Sequence, residues 1–418
     1  MPQRGAQPLT RAIVLGGLAG TWWLTGARVG RAQASDTTRG GHPRTWNYTE
    51  SSAGSARLEI AVLYDVSGYG QNHPSASQVG ALATVGRVRT DRVIVEGTVG
   101  RSHPWRYLFS SDYDGLKADQ KTAFTVNDLA VSIPLGTVAW LAIGRQKESI
   151  SEEMLASTRT LPHVERSAAV LAFIPTRNDG VRLWGTVSTV SRGRGGWTLG
   201  VFNDFLFNGL SLSQNGEQVS GRAFWAPFVS DDTLHIVQLA LNARWTDDQN
   251  GTVRFKAKPE VDEAPDFVNT GKLDAPGATL GDAGVLLQQG SVSLTAEALP
   301  VRVSGAQPRA LGFSGSYVEL AWRPRGEPRS YDEETGSLGR VRLGKHRVAV
   351  ELGARYTHVD LSDRSVDGGV FDRSSFGVTW YGPHDLRAQI DYGYATLNKG
   401  GVVGRTQLVT TRFQWELR

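Results

Sequence analysis

Apolar and polar side chains alternate along most of this sequence, with the period of two that is typical of β-strands. In the stretch RVAVELGARYT, one face carries Val348, Val350, Leu352, Ala354 and Tyr356, and the other face carries charged and polar residues. The same alternation recurs at residues 235–245, 291–299, 317–323, 375–381, 385–395 and 407–418. Helical periodicity is scarce. The pattern therefore predicts an all-β protein.

Strand length separates two kinds of alternating sheet. A soluble sandwich buries its apolar faces, whereas a transmembrane barrel turns them to lipid and its polar faces to water. Strands that cross a bilayer need about 9–11 residues, whereas soluble strands average about 5–6. The segments here are of the longer kind, and aromatic residues stand towards their ends: Trp245, Trp322, Tyr356, Trp380 and Tyr394. We predict a transmembrane antiparallel β-barrel, with a soluble sandwich as the alternative.

The first 34 residues have the pattern of a secretory signal peptide. Basic residues precede an apolar run at 12–27, and AQA at 32–34 offers small residues for cleavage. Residues 35–57 are polar and predict a flexible lead-in, which leaves 58–418 for the barrel. About sixteen strands would give each strand and its turn roughly 24 residues, although the count leaves fourteen or eighteen open. Long loops are expected at 256–289, 300–314 and 324–346.

Removal of the leader changes the charge of the chain. It contains four of the 45 basic residues and no acidic residue, so 41 basic and 41 acidic side chains remain. Any preference for anions must therefore come from the placement of charges and not from their sum. We expect no nucleic-acid partner. The absence of cysteine excludes disulfides and thiolate metal sites.

Catalytic and metal-binding motifs are missing from the sequence. The eight histidines are dispersed, and no His-Glu-x-x-His pair, phosphate-binding loop or Gly-x-Ser-x-Gly motif occurs. The acidic run DEE at 332–334 is more typical of a solvated loop than of a calcium site. We expect no metal, no cofactor and no enzymatic activity. An outer-membrane barrel enzyme remains the alternative from another functional class.

A polar insert interrupts the strands near the middle of the chain, SISEEMLASTRTLPHVER at 149–166. Around it the sequence resembles the phosphate-selective porin O and P family. The resemblance rests on Gly144, Lys147 and Glu148, followed by SEE, STR, ER, RNDGV and GVFN, and on the stretches RGEPRSYDEETGSLGRV and VELGARYTHVDLSDRSVDGG. It covers most of residues 85–418.

The resemblance implies a trimeric pore of sixteen strands in the bacterial outer membrane, surrounded by lipid and lipopolysaccharide. The insert would be an extracellular loop that folds inward and forms the constriction. In this family, basic side chains, hydroxyls and one carboxylate bind a small inorganic anion such as phosphate there. Arg forks and hydroxyls suit this task because they replace the hydration shell of an oxyanion. A general pore for other small polar solutes is the alternative within transport.

The residues that match the binding positions of the family come from two strands and the loop. They are Arg89, Arg92, Asp128, Ser157, Thr158, Arg159 and Arg166. Alternation places Arg92 with Ile94 and Glu96 on the lumen face. Each arginine has a second interpretation, as a salt-bridged residue that holds the loop. Two positions depart from the family: Thr90 replaces an arginine, and Met154 stands where phosphate-specific members can carry a lysine.

Overall fold

The computed structural model describes residues 46–113, 124–188, 194–203, 216–247, 251–305, 310–343 and 348–418. The predicted signal peptide, residues 1–34, lies outside them. Sixteen long strands form the wall of a barrel. They are β2 Gly54–Gln71, β3 Val85–Val99, β4 Trp105–Tyr113, β5 Phe124–Leu135, β6 Ala139–Gln146, β7 Asn178–Ser188, β8 Arg194–Phe202, β9 Gln218–Val229, β10 His235–Asp247, β15 Gly277–Gln289, β16 Val292–Ser304, β17 Leu311–Trp322, β20 Ala349–Asp363, β21 Val366–Tyr381, β22 Leu386–Lys399 and β23 Val402–Leu417.

Every strand of the wall is antiparallel to its neighbours, and the first strand closes the barrel against the last. Ile60 of β2 pairs with Leu417 of β23, and the pairing continues to Gln71 and Thr406. The predicted transmembrane antiparallel barrel of about sixteen strands is thereby confirmed. Closure leaves no open sheet edge. This is necessary in a bilayer, because its interior has no water to bind unpaired N–H and C=O groups.

A short strand, β1 Tyr48–Ser51, forms a hairpin with the beginning of β2. Tyr48 pairs with Arg57, and Ser51 pairs with Gly54. Strand structure therefore begins inside residues 35–57, the segment expected to be a flexible lead-in. The alternation is hidden there because Ser, Thr and Gly occupy both faces.

The two ends of the barrel differ. At the end where β2 begins and β23 ends, here called the terminal end, most connections are short turns, such as 136–138 and 290–291. One connection at this end, 323–348, is long and contains the hairpin β18 Arg329–Asp332 and β19 Ser337–Val341. Its length agrees with the loop expected at 324–346.

The opposite end, here called the loop end, has the longer connections. They contain the helices α1 His73–Val79, α2 Glu152–Leu155 and α3 Ala168–Phe173, and the two-residue strands β11 Thr252–Val253, β12 Lys256–Ala257, β13 Val268–Asn269 and β14 Leu273–Asp274. The connections are shorter than the loops expected at 256–289 and 300–314. Strand β15 already begins at Gly277, and β16 continues to Ser304. Small and acidic residues in GATLGDAG concealed this strand, because such residues are poor strand formers.

The outer face of the wall is apolar and the inner face is polar. Exposed aromatic residues form one zone near the terminal end, with Trp322, Trp380 and Trp415, and another farther along the strands, with Trp245, Tyr356 and Tyr394. Such girdles mark the two interfaces of a bilayer. In the described part of the chain, no helix has the length and apolarity needed to cross a membrane.

Part of the lumen is filled by an apolar core. Helix α3 and residues 251–276 pack there against inward-facing residues of β15–β17 and β20–β23, such as Leu299, Phe313, Leu361 and Phe371. Phe255 links the two by ring contacts with Phe173 and Phe313. The charged side chains of the candidate site lie largely on the opposite wall, formed by β3–β5.

Candidate functional site

The connection between β6 and β7, residues 147–177, is here called the constriction loop. It folds into the lumen as predicted: all residues of 160–170 are buried, and Ile150 and Met154 belong to the apolar core. Between residues 151 and 170, only 155–159 are partly exposed. This segment contains the predicted binding residues Ser157, Thr158 and Arg159.

Helix α2 begins at Ser151 and is held by the barrel wall. The Ser151 hydroxyl accepts a hydrogen bond from the Met154 N–H at 3.1 Å. Glu297 of β16 accepts from the Ser151 hydroxyl at 2.8 Å and from the N–H groups of Glu152 and Glu153 at 2.6 and 3.2 Å. A carboxylate at a helix N-terminus satisfies donors that have no partner within the helix. Glu297 thus fixes the entry of the loop.

Two cations satisfy the other end of α2. The Lys147 ammonium donates to the carbonyl oxygens of Met154, Leu155 and Ala156 at 2.8, 3.0 and 3.1 Å. Arg166 donates to the carbonyl oxygens of Glu153 at 3.1 Å and Ala156 at 2.7 Å. The last carbonyls of a helix attract cations. Arg166 is 6% exposed, so it shapes the loop from behind the lining segment.

Side chains of β20–β23 hold the following backbone, because buried carbonyl and N–H groups need partners. Arg387 donates to the Arg159 carbonyl at 2.6 Å, and Arg355 donates to the Glu165 carbonyl at 3.0 Å. Asp391 accepts from the Val164 N–H at 2.6 Å. These wall residues position the loop and are not available to a solute.

Arg89 reaches the lumen through a β-bulge. Strict alternation would place it opposite Arg92, but Leu63 pairs with Thr90 and Tyr64 pairs with Val88, so Arg89 is an extra residue in β3. Its Nε lies 2.7 Å from the Glu165 carboxylate. Burial raises the pKa of Glu165, but the guanidinium groups of Arg89 and Arg412 lower it to about 2. Glu165 is therefore ionised and neutralises part of this positive charge.

Arg92, Asp128 and Arg159 are also in ion pairs. Arg92 forms two bonds with Asp112, at 2.6 and 2.9 Å. Asp128 accepts from Arg177 at 3.0 and 3.1 Å and from the Ser110 hydroxyl at 2.5 Å. Arg159 lies 3.3 Å from carboxylate oxygens of Glu59 and Glu416. Their role in solute binding stays a prediction. The geometry agrees equally with the salt-bridged interpretation.

Lys147 and Arg177 were not among the predicted site residues. Lys147 lies in the electrostatic neighbourhood of Arg166, Arg177, Asp128 and Arg92, so the structure brings strand and loop residues into one cluster. Burial lowers the pKa of Lys147 and the Arg166 guanidinium lowers it further. The only sequence signal for Lys147 was its place in the Gly-x-x-Lys-Glu motif. Arg177 had a comparable signal at the start of RNDGV.

Metal chemistry finds no support in the described ranges. No group of three or more His, Asp and Glu side chains there has the arrangement of a metal site. The acidic run at 332–334 lies instead at the tip of the β18–β19 hairpin, where Glu334 pairs with Arg106.

Comparisons with known proteins agree with this geometry. A family model described as phosphate-selective porin O and P matches residues 64–417. A curated protein of Caulobacter vibrioides, described as uncharacterized, is 27% identical over 281 residues, which span 62% of this chain and 54% of that protein.

Solved outer-membrane proteins share the fold at low identity. The anion-selective porin from Comamonas acidovorans is 12% identical, with a TM-score of 0.53 over 87% of this chain and 100% of that chain. OmpT of Vibrio cholerae is 10% identical, with a TM-score of 0.51 over 88% and 100%. OmpF of Salmonella typhi, in complex with daunomycin, is 10% identical, with a TM-score of 0.50 over 88% and 100%.

Proposed function

The chain belongs to the phosphate-selective porin O and P family, outer-membrane porins, and on this premise we propose that its channel prefers anions, with phosphate or polyphosphate as the favoured solute. The runner-up is a general pore for other small polar solutes. Family and fold favour a channel over a barrel enzyme.

One observation carries the anion preference. Lys147 and Arg166 direct their N–H groups at main-chain carbonyl oxygens, whereas Arg92 and Arg177 beside them are paired with carboxylates. Carbonyl oxygens carry only partial charges, so Arg166 and the protonated form of Lys147 add positive charge to the constriction. Fixed cations at a narrow passage select anions because the low local dielectric weakens screening.

Phosphate is favoured by the groups beside this charge. Ser157 and Thr158 offer hydroxyls on the partly exposed segment of the loop, and Arg159 follows them. An Arg fork with hydroxyl groups suits an oxyanion better than a spherical halide. Met154, at the departing position, is uncharged and fully buried in the apolar core. Lys147, which donates to the Met154 carbonyl, supplies a cation at the same place.

The orientation follows from the lengths of the connections. Barrels of this class have short periplasmic turns and longer extracellular loops, so we place the loop end outside and the terminal end in the periplasm. We further propose that residues 1–34 direct export and are removed, and that three copies assemble in the outer membrane with lipid and lipopolysaccharide around them.

Planar-bilayer recording of the full-length protein tests the proposal. We expect a reversal potential of anion-selective sign in a potassium chloride gradient. We also expect added phosphate to halve the chloride current at about 1 mM, which corresponds to about 4 kcal/mol of binding free energy. A cation-selective reversal potential would contradict the anion preference. Anion selectivity without phosphate block would favour the general pore.

A further inference from the structure

The long connection at the terminal end crosses the lumen. Its hairpin, β18–β19, is held by the wall on several sides. Arg329 lies 2.6 Å from the Glu351 carboxylate of β20, Gln238 of β10 donates to the Gly336 carbonyl at 2.6 Å, and Arg340 pairs with Glu416 of β23. The tip of the hairpin, residues 332–336, thereby reaches the wall formed by β4–β8.

A basic and aromatic cluster lies on that wall. The Arg106 guanidinium carbon lies 3.8 Å from the ring centroid of Trp140. Trp140 and Trp184 are paired in register on β6 and β7, and their rings stack with centroids 6.1 Å apart and planes 17° apart. Arg182 covers the other ring at 4.6 Å. Each of the two indole rings thus has one guanidinium close to it.

Glu334, at the tip of the hairpin, occupies this cluster. Its two carboxylate oxygens accept from Arg106 at 3.0 and 2.9 Å, and one of them accepts from the Trp184 indole N–H at 2.7 Å. The Arg182 side chain bonds to the Ser149 hydroxyl of the constriction loop, while its Nε is buried and has no hydrogen-bond partner among the described residues. One acid is thus bound where several donors meet.

We propose that Arg106, Arg182 and Trp184 form a second oxyanion site between the constriction and the terminal end, and that Glu334 is its tethered, displaceable occupant. A permeating inorganic oxyanion takes the place of the carboxylate, and the hairpin tip closes the site again when the anion leaves. The inference rests on the proposed anion preference and adds a site below the constriction loop.

The exchange is chemically balanced. A guanidinium that loses a carboxylate and gains a phosphate oxygen keeps its charge-assisted bonds, whereas removing one partner alone leaves a charge uncompensated. Solute has access, because the Arg106 and Glu334 side chains are 24% and 16% exposed. Gly336, with φ of 64°, adopts a left-handed conformation that favours glycine and lies two residues from Glu334. The turn beside the tip therefore depends on this glycine.

The test compares phosphate block of chloride current in full-length wild type and Glu334→Gln. If the tip occupies the site for nine-tenths of the time, removing its charge lowers the half-blocking phosphate concentration about tenfold. Glu327→Gln, the same charge change on the same connection, leaves it at the wild-type value. Arg106→Gln combined with Glu334→Gln removes the gain, because the main donor is then absent.

Each outcome has one meaning. Heat-modifiable migration in SDS gels shows which variants assemble, and Glu334→Asp, which keeps the charge but shortens the reach, gives an intermediate value if Glu334→Gln does not assemble. An anion-selective wild type with an unchanged half-blocking concentration in both Glu334 variants overturns the second site alone. A cation-selective wild type overturns the proposed function, and the second site falls with it.

Discussion

Lys147 and Arg166 donate to the same carbonyl oxygen, that of Ala156, at 3.1 and 2.7 Å. Lys147 is the first residue of the constriction loop and Arg166 follows α2, so their shared acceptor closes the loop around this helix. The same contact places two basic side chains next to each other. The shape of the loop and the charge of the passage therefore depend on the same pair.

Lys147→Gln tests the contribution of this charge to selectivity. Glutamine keeps a donor for the carbonyl oxygens but removes the charge. Two charges about 4 Å apart in water interact by about 1 kcal/mol, so we expect the anion-to-cation permeability ratio to fall about fivefold. Reversal potentials in a salt gradient measure the ratio. Lys272→Gln, at an exposed position of the connection 248–276, serves as the control, and an equal fall in both variants would contradict a local effect.

The same lysine predicts a pH dependence. Burial and Arg166 lower the pKa of Lys147 below its ordinary value of 10.5, so the ammonium loses its proton as pH rises through the lowered value. Anion selectivity should therefore fall at pH values between the lowered pKa and 10.5. A lysine in the unfolded chain is still charged at these pH values. Because the unfolded chain then binds more protons, this group makes folding more favourable as pH rises there.

Reversal potentials measured at a series of pH values below 10.5 check this pH dependence. Lys147→Arg keeps its charge throughout, since a guanidinium does not deprotonate in this range. Its selectivity should stay constant where that of the wild type falls. Parallel curves for the two proteins would assign the titration to another group.

Arg159→Ala should reduce anion selectivity. Arg159 lies on the partly exposed segment and pairs with Glu59 and Glu416. Its removal leaves carboxylates without one of their cations, which attracts cations into the passage. Reversal potentials should move towards cation selectivity, while Arg405→Ala, at an exposed position of β23, leaves them unchanged. A shift of equal size in both would show that Arg159 has no special position.

Arg166→Ala should act differently, because Arg166 is buried and binds backbone carbonyls. Losing hydrogen bonds to a charged group costs roughly 1.5–3 kcal/mol each, so the loop should become more mobile. We expect larger fluctuations of the open-channel current together with lower selectivity. If selectivity falls while the current noise stays at the wild-type level, Arg166 acts on the solute like the lining residues and does not hold the loop.

The sequence predicted the barrel because alternation is a local property that each strand displays by itself. It predicted the inward loop only through resemblance to a family. The bulge that turns Arg89 inward depends on the register between β2 and β3. No residue type in β3 predicts this bulge. Likewise, 324–346 was recognised as long, but its course across the lumen follows from contacts such as Arg329 with Glu351. Contacts between distant segments are not encoded in periodicity.

Glu297→Gln tests whether the wall fixes the constriction loop. The Glu297 carboxylate accepts from Ser151, Glu152 and Glu153 of the loop, and also from the Tyr317 hydroxyl at 2.7 Å. Glutamine has one acceptor oxygen and no charge, so at least one donor at the start of α2 loses its partner. An unsatisfied buried donor costs about 1–3 kcal/mol, enough to populate loop positions away from the wall.

The noise of the open-channel current should therefore rise in Glu297→Gln. The temperature at which the heat-modifiable band shifts should stay close to the wild-type value, because the sixteen wall strands keep their pairing. Glu217→Gln, at an exposed acid directly before β9, should change neither quantity. A lower transition temperature without added noise would mean that Glu297 stabilises the barrel and not the loop. The combination of a stable barrel and a noisy current follows only if this one carboxylate holds the loop in place.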